Sequence, residues 1–422
     1  MNLFLMLFPV VLLLLGFPIF ILLLATAACA LMFFMNVPLV AVHQTLFGSI
    51  DKFSLLAVPF FLFAGEIMGV GGMSKRIIDW CMSIIGGVRG AQGLTTIGAA
   101  TVFGAISGSA PATVAAIGRL TYPPLRRAYG LKFATGIVTA TGAIDILIPP
   151  SIAMILYATA AEQSVQQLFI AGVLPGLLLA ALNAAYVIYY ARRHGIRDTQ
   201  AVSLRNFISA TKSGLWSLGA PVLILGGIYG GIFSPTEAAG IACAYGIVVT
   251  KFVYRELSWR ELWNVGVNSM FLTAQILIIV AAAGVFSWVL TVNGVPRAAV
   301  EFVRAMADEP WKVLLVLNVF LLIVGCFIDP ASAILVLTPL LVPICKAYGI
   351  DLVHFGIIMT MNLAIGMFHP PFGLNIFVVQ ALTRAPASAI YLGVIPFVIL
   401  ATITLLILTY VPWLSLYLTR FV

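Results

Sequence analysis

Charged residues are scarce in this chain, and their scarcity excludes an ordinary soluble protein. Only 9% of the 422 residues are charged, whereas 62% are hydrophobic, and soluble domains carry a charged fraction of about a quarter. Apolar runs that are long enough to cross about 30 Å of hydrocarbon recur throughout the chain. Examples are residues 3–24, 172–190, 313–341 and 392–411. We therefore expect an all-α polytopic membrane protein without a soluble domain, with about ten to twelve spanning or partly spanning segments.

Several chemical signals are missing as well. The five cysteines stand singly in apolar sequence, without the spacing of a metal site or a disulfide framework. No G-x-x-x-x-G-K-[ST] string is present to cradle phosphates, so an ATP-driven pump is unsupported and the energy must come from a gradient. The net charge of +8 lies beside short membrane loops, where Lys and Arg set orientation. No cofactor and no nucleic-acid partner are expected. The first apolar run lacks a basic leading region and predicts a retained helix.

The chain contains an internal repeat. "GAISGSA" at 104–110, "IPPS" at 148–151 and "GVLP" at 172–175 have counterparts in "GCFIDPASA" from 325, "HPPFGLN" at 369–375 and "GVIP" at 393–396. Each landmark lies 221 positions before its counterpart. Gly72 likewise matches Gly294, and each copy contains "AYG" between its landmarks. The sequence therefore predicts two related halves, 1–205 and 206–422.

Charge placement predicts that the halves are inverted relative to each other. The loop around the first "AYG" carries Arg119, Arg126, Arg127 and Lys132, whereas Lys346 in the second is balanced by Asp351. Because basic loops stay in the cytoplasm, the two loops should lie on opposite faces of the membrane. This is the expectation for an inverted-topology repeat with discontinuous helices and re-entrant hairpins.

Small and polar residues interrupt one apolar run in each half. Lipid cannot satisfy the freed backbone groups, so the broken ends must bind something else, or the small residues must be helix-packing contacts. The break that begins at Gly104 supplies the hydroxyls of Ser107 and Ser109 with free carbonyls, and the second supplies Asp329, Pro330 and Ser332. Hard oxygen ligands of this kind suit Na⁺ and not soft metals.

Two further breaks occur at the proline pairs, where each proline removes a backbone donor. Four breaks in matched pairs would meet near the midplane, where a substrate could bind. Asp329 is the strongest intramembrane acid, while Asp145 and His369 could touch substrate or lie in a solvated cavity. A capping or scaffold role is expected for Glu66 and Glu237. The stretch 253–263 predicts an interfacial amphipathic helix. The substrate-site candidates are Asp145, Pro149, Pro150, Ser151, His369, Pro370, Pro371, Gly373 and Asn375.

In these strings the chain resembles the large membrane subunit (DctM-like permease) of the tripartite ATP-independent periplasmic (TRAP) transporters. Further matching strings are "LLAVPFFLFAGEIM" from 55, "LFIAGVLPGLL" from 168, "GGIYGGIFSPTEAA" from 226, "FSWVLT" from 286 and "HFGIIMTMNLAIG" from 354. They occur in order along nearly the whole chain.

The resemblance implies an elevator-type importer of organic acids driven by Na⁺, in the inner membrane of a Gram-negative bacterium. Its implied partners are a small four-helix membrane subunit and an extracytoplasmic solute-binding protein that delivers a carboxylate such as sialic acid, a C4-dicarboxylate or a keto acid. The implied scaffold comprises roughly 1–40, 168–192, 214–252 and 390–412. The implied transport unit comprises roughly 52–160 and 265–385.

Carried over by position, the resemblance puts the first ion site on Ser107, Gly108 and Ser109, and the second on Gly325 and Asp329. The full set of Na⁺ candidates is Gly104, Ser107, Gly108, Ser109, Gly325, Asp329 and Ser332. Two departures from the family pattern stand out. Thr113 occupies the place of an acidic residue shortly after "SGSA", which leaves the carboxylate ligand of the first ion unassigned, and His369 replaces a common Thr.

Two other functions remain open at this point. A stand-alone ion-coupled dicarboxylate or anion transporter of the same architecture would need no binding protein. An intramembrane serine protease would pair Ser107 or Ser109 with His369 as its base, although the repeat matches the serine loop to "IDPAS" and His369 to Ile148. Sequence alone does not decode the carried acid, the number of coupled ions or the oligomeric state.

Overall fold

The computed structural model describes residues 2–35, 37 and 39–421, and within these ranges it contains helices and no strand. The first half forms α1 (Asn2–Leu14), α2 (Ile19–Phe34), α3 (Leu39–Ile50), α4 (Ala57–Val70), α5 (Met73–Ile85), α6 (Ala91–Ser107), α7 (Ala110–Tyr129), α8 (Leu131–Leu147), α9 (Ile152–Ala161) and α10 (Val165–Arg193). Residues 1, 36 and 38 of the expected scaffold stretch 1–40 lie outside the described residues, as does residue 422.

The second half forms ten more α-helices. They are α11 (Leu204–Tyr229), α12 (Pro235–Ile247), α13 (Trp259–Val292), α14 (Val295–Met306), α15 (Pro310–Gly325), α16 (Pro330–Ala347), α17 (Leu352–Gly366), α18 (Leu374–Thr383), α19 (Ala387–Tyr410) and α20 (Trp413–Leu416). A π-helical stretch, Val248–Val253, continues α12. The all-α fold class is confirmed.

Seven described helical stretches are long and apolar enough to cross a membrane: Phe53–Val70, Val165–Arg193, Leu204–Tyr229, Pro235–Val253, Trp259–Val292, Pro330–Ala347 and Ala387–Tyr410. The bent pair α8 and α9 makes an eighth. Four shorter apolar helices, α2, α15, α17 and α18, accompany them. The protein is therefore polytopic, and shorter apolar helices supplement its full-length candidate spans.

Two of the expected crossings are interrupted. The run 3–24 divides into α1 and α2, because Gly16 takes a left-handed φ of 81° and Pro18 precedes the first residue of α2. The run 313–341 divides into α15 and α16, because Asp329 and Pro330 start a new helix. The run 3–24 is therefore two helices and not a single crossing, whereas the division of 313–341 falls at the break predicted from Gly325, Asp329 and Pro330.

The segment 253–263 also differs from its prediction. The π-helical stretch ends at Val253, and Ser258 caps the start of α13, so the segment is no separate amphipathic helix. One of its charged residues, Glu256, instead contacts α5. Arg76 on α5 forms an ion pair of 2.7 Å with Glu256 and stacks over the ring of Tyr254.

Two equivalent helices occupy the centre of the protein. Every residue from 133 to 147 in α8 is buried, and so is every residue from 353 to 366 in α17. A helix that is apolar on all faces needs neighbours on all faces. Accordingly α8 packs against α6, α7, α10, α17, α18 and α19.

The helix order of the first half recurs in the second. From α5 to α10 and from α14 to α19 the helices follow one another at matching positions. Both series begin after a left-handed glycine, Gly72 with φ 76° and Gly294 with φ 70°. The "AYG" strings lie at the C-terminal ends of α7 and α16. The two halves of the sequence therefore fold into corresponding series of helices.

A backbone contact joins the halves at α8 and α19. A Cβ placed on Gly393 would overlap the carbonyl of Lys132 and lie 3.1 Å from the nitrogen of Gly136. A Cβ on Gly136 would in turn overlap the carbonyl of Gly393. Only glycine permits backbones to approach so closely. The "GVIP" landmark of the second half is thus seated on the central helix of the first.

Candidate functional site

The first break is a two-residue turn between α6 and α7. The helix α6 ends at Ser107, Gly108 adopts a left-handed φ of 63°, and Ser109 is extended before α7 begins. A left-handed residue ends a helix at little cost only when it is glycine. The end of α6 leaves its last carbonyls without intrahelical partners, and the start of α7 leaves free N–H groups. We call residues 107–110 the first turn.

The broken span formed by α8 and α9 holds the first turn in place. The carbonyl of Gly108 accepts a hydrogen bond of 3.4 Å from the backbone nitrogen of Ile152. A Cβ on Gly108 would lie 2.6 Å from the carbonyl oxygen of Pro150. On the other side, a Cβ on Gly65 of α4 would lie 2.9 Å from the backbone of Ser107. The Pro149–Pro150 loop, with its cis peptide bond, and the first turn therefore form one unit.

Asp145 lies beside this unit on α8 and is fully buried. Thr113 donates a hydrogen bond of 2.6 Å from its hydroxyl to Oδ1 of Asp145. Gly104, one turn before Gly108 on α6, leaves room for this carboxylate, since a Cβ there would lie 3.2 Å from Oδ1. A carboxylate thus reaches the vicinity of the first turn from α8, beside the position where the family pattern places an acid.

Several polar atoms around the first turn are buried without a hydrogen-bond partner. They are Oδ2 of Asp145, Oγ of Ser151 and both amide atoms of Asn375. Asn375 belongs to the second half, yet its amide lies against Gly142, one turn before Asp145 on α8. Buried polar atoms without partners are costly, so this group of side chains is suited to a ligand.

The second break is a longer turn, in which α15 ends at Gly325 and α16 begins at Pro330. We call residues 325–330 the second turn. Asp329 caps α16, and its Oδ2 accepts hydrogen bonds from the hydroxyl and the backbone nitrogen of Ser332 at 2.9 and 3.2 Å. Asp329 is only half-buried. Its carboxylate therefore serves partly as a helix cap.

The loop after α17 packs against the second turn. Nδ1 of His369 lies 3.3 Å from the Cys326 sulfur, and a Cβ on Gly366 would overlap the carbonyl of Gly325. The Pro370–Pro371 bond is cis, and a Cβ on Gly373 would lie 2.5 Å from the carbonyl of Met367. No hydrogen bond joins His369 to Ser107 or Ser109 within the described residues, so the arrangement does not favour the protease.

The second half contains a buried series of hydrogen-bonded polar side chains that the sequence did not predict. The amide of Asn362 on α17 donates to Oδ1 of Asn318 on α15 at 2.7 Å, and Asn318 donates to the hydroxyl of Thr409 on α19 at 2.9 Å. Its members are separated widely in sequence and belong to none of the repeated strings. Only isolated asparagines in apolar runs could have indicated them.

One cavity of about 620 Å³ brings the two turns together. Of the predicted residues, Gly108, Ser109, Asp329 and Ser332 line it, and Gln275 of α13 is a polar lining residue that sequence reasoning missed. Apolar residues of α2, α8, α9, α13 and α18 complete the wall. The remaining candidates do not line this cavity. They are Gly104, Ser107, Asp145, Pro149, Pro150, Ser151, Gly325, His369, Pro370, Pro371, Gly373 and Asn375.

A second cavity of about 480 Å³ continues from the first, since both are lined by Ser109, Leu62 and Leu272. It extends between α4 and α7 to Lys75 and Arg119. Glu66 also lines it, but as an interior residue of α4 that accepts a hydrogen bond of 2.6 Å from Ser269. The capping role considered for Glu66 is therefore wrong, whereas Glu237 does form a capping box with Ser234.

The chemistry of the first turn fits a small hard cation. The groups that converge there are hydroxyls, backbone carbonyls and the unpartnered Oδ2 of Asp145, which are ligands that Na⁺ accepts. Among the described residues, no group of three or more His, Cys, Asp or Glu side chains could hold a metal ion.

Sequence comparison identifies the family. Residues 5–414 match the family described as "Tripartite ATP-independent periplasmic transporter, DctM component". The chain belongs to this family. The resemblance drawn from the sequence strings is confirmed, and the family is one of transporters.

Two relatives illustrate the range within the TRAP family. The C4-dicarboxylate TRAP transporter large permease protein DctM of Pseudomonas aeruginosa is 42% identical over 372 residues, covering 88% of this chain and 87% of that protein. The isethionate TRAP transporter permease protein DctMQ of Oleidesulfovibrio alaskensis is 41% identical over 379 residues, covering 89% of this chain and 60% of that protein. This chain thus spans less than two thirds of the second relative.

The fold has a counterpart among solved structures. The crystal structure of the Alcanivorax borkumensis YdaH transporter, described as having an unusual topology, aligns over 96% of this chain and 98% of its own, with a TM-score of 0.62. The sequence identity is 15%. The TRAP chain therefore shares its architecture with this transporter, which says nothing about shared ligands.

Proposed function

We propose that this chain is the large permease subunit of a TRAP transporter that imports an organic acid together with Na⁺. The observation that carries the proposal is the cavity that Gly108 and Ser109 of one half share with Asp329 and Ser332 of the other. Helix ends meeting at a common cavity are suited to hold ions and an anionic substrate at once. Oxygen ligands at both turns favour Na⁺ as the coupling ion.

The repeated helix order supports an inverted repeat and an elevator mechanism. In this proposal the basic ends of α7 and α8 face the cytoplasm. The second cavity, with Lys75 and Arg119 at its far end, then connects the central cavity with the cytoplasmic side. Both basic side chains are exposed, so they attract a departing anion without holding it tightly. Because α10 and α19 pack on α8, we propose that they move with it, in place of the scaffold role expected for 168–192 and 390–412.

The partners are proposed from the family. A small four-helix membrane subunit completes the membrane part, and an extracytoplasmic solute-binding protein delivers a carboxylate, in the inner membrane of a Gram-negative bacterium. The two relatives carry different ligand names, a dicarboxylate and a sulfonate, at nearly equal identity. The acid therefore has to be found through the binding protein.

The test is uptake into proteoliposomes that contain the permease and its small subunit. We expect uptake only when the ligand-loaded binding protein and an inward Na⁺ gradient are both present. Uptake without the binding protein would favour the stand-alone transporter. Uptake that does not depend on the Na⁺ gradient would contradict the coupling of import to Na⁺.

Ser107→Ala examines the first turn directly. Ser107 is fully buried, and removal of its hydroxyl takes one oxygen from the proposed site. We expect the Na⁺ concentration for half-maximal uptake to rise severalfold, whereas the control Ser83→Ala on α5 leaves it unchanged. Full Na⁺-dependent uptake with wild-type affinity in Ser107→Ala would remove this serine from the ion site.

A further inference from the structure

Asp145 is the most deeply buried carboxylate near either turn. It has no exposed surface, its Oδ1 accepts a hydrogen bond from the hydroxyl of Thr113, and its Oδ2 has no partner. The ion pairs of the described residues are Arg76–Glu256, Arg297–Glu301 and Lys312–Glu309, so no basic side chain neutralises it. An isolated buried carboxylate costs several kcal/mol. A bound cation would offset that cost.

The surroundings of Asp145 are electronegative. The last turn of α6 ends with free carbonyls, and a helix C-terminus carries partial negative charge. Gly104 in that turn has no side chain, and a Cβ there would lie 3.0 Å from the α-carbon of Asp145 and 3.2 Å from its Oδ1. The carboxylate therefore lies directly beside the last turn of α6, with no side chain of Gly104 between them. Two electronegative groups in this position are suited to a desolvated cation.

The second half contributes a neutral amide to the same region. Asn375 is fully buried, both atoms of its amide lack partners, and it packs against Gly142 one turn from Asp145. Ser151, equally buried, has a free hydroxyl after the Pro149–Pro150 loop. A carboxylate, an amide and a hydroxyl without partners around one turn form a coherent set of hard ligands.

We propose that Asp145 supplies the carboxylate for the Na⁺ ion at the first turn, reaching it from α8 through the space that Gly104 leaves open, with Asn375 contributing from the other half. The inference rests on the proposed Na⁺ coupling. A Na⁺ ion neutralises the ionised carboxylate of Asp145 when the site is full, and the same ionised carboxylate is an uncompensated buried charge when the site is empty. Moving that charge through the membrane is costly. Asp145 therefore hinders the transport unit from crossing without its ion.

Asp145→Asn tests this assignment, because it removes the charge and keeps the shape. We expect the Na⁺ concentration for half-maximal uptake to rise at least about tenfold. The increase in melting temperature that Na⁺ produces in the purified permease complex should shrink in parallel, which gives a readout without transport. Asp51→Asn, at an exposed site before α4, is the matched control and should keep both properties.

The exchange variant Thr113→Asp/Asp145→Thr gives a sharper test. It moves the carboxylate from α8 to α7, across the contact between residues 113 and 145. Compared with Asp145→Asn, it should therefore return the Na⁺ affinity to within severalfold of wild type. If Asp145→Asn does not fold, this variant decides. Folded protein with a Na⁺ affinity within severalfold of wild type supports the inference, and folded protein with an affinity at least about tenfold weaker overturns it.

The failures of the two proposals are distinguishable. Wild-type uptake that needs Na⁺, combined with unchanged Na⁺ affinity in Asp145→Asn, overturns the role of Asp145 and leaves Na⁺ coupling intact. Wild-type uptake driven by a proton gradient, with no effect of Na⁺ on melting, contradicts the coupling itself and with it this assignment.

Discussion

The first and second turns occupy matching places in the two halves, but they place their carboxylates differently. In the first turn, the carboxylate belongs to Asp145 on the adjacent span and is fully buried. In the second turn, Asp329 lies within the turn, is half-buried and accepts hydrogen bonds from Ser332. One acid therefore keeps an unpartnered oxygen, whereas the other is largely satisfied by its own helix. Equivalent positions in the repeat need not contribute equally to ion binding.

The turns also differ in which glycine has no room for a side chain. In the first turn it is Gly108 itself, whose Cβ would meet the carbonyl of Pro150, and at the second it is Gly366 on α17, outside the turn. A side chain is therefore excluded within the first turn but beside the second.

The largest expected difference between the turns concerns their glycines. Gly108→Ala forces a side chain into a left-handed conformation, which costs about 1–2 kcal/mol, and puts its Cβ 2.6 Å from the carbonyl of Pro150. We expect uptake to fall more than about tenfold. Gly325→Ala is the matched variant, since its Cβ meets Gly366 at an ordinary 3.4 Å, and should keep most activity. Equal tolerance of both changes would contradict the difference in the space available at the two glycines.

A moderate effect is expected at the cap of α16. Asp329→Ala removes the acceptor for the backbone of Ser332 and should lower the free energy of unfolding by about 1 kcal/mol, whereas Asp329→Asn keeps a good cap. Thermal melting in detergent measures both. Identical melting of the alanine and asparagine variants would show that the cap contributes nothing to stability.

The smallest effect is expected at His369, which contacts Cys326 behind the second turn. The matching residue of the first half is the apolar Ile148. We therefore expect the polar ring of His369 to affect which substrate is chosen. His369→Thr should change the relative uptake of competing organic acids severalfold and leave Na⁺ dependence unaltered. Cys326→Ala removes only the contact of His369 with the Cys326 sulfur, so it should change the relative uptake of these acids less. An unchanged substrate profile in His369→Thr refutes the role.

The fold class and the positions of the breaks could be predicted because they depend on local chemistry. Hydrophobic length indicates membrane helices, and "SGS", "IDP" and the proline pairs interrupt them wherever they occur. The same local rules misjudged residues 3–24, because an apolar run looks continuous even where Gly16 and Pro18 separate two helices. Residues 253–263 were misjudged because charges and tryptophans beside a span resemble an interfacial helix.

The partners of each site residue could not be predicted, because they come from distant parts of the chain. The contact between Thr113 and Asp145 joins α7 to α8, and Asn375 reaches α8 from the other half. Sequence marked Thr113 as a departure from the family pattern and Asp145 as a substrate-site candidate. The two residues are linked only by their hydrogen bond, which forms because α7 packs against α8.

The glycine contact between α8 and α19 bears on how the protein must be assembled. At Gly136 and Gly393 each backbone occupies the space where the other residue would carry a side chain. The two halves are therefore interlocked and not merely adjacent, and the central helix of the first half remains incompletely covered until the last long helix of the second has been made. The packing around α8 can therefore be completed in the membrane only after α19 has been synthesised.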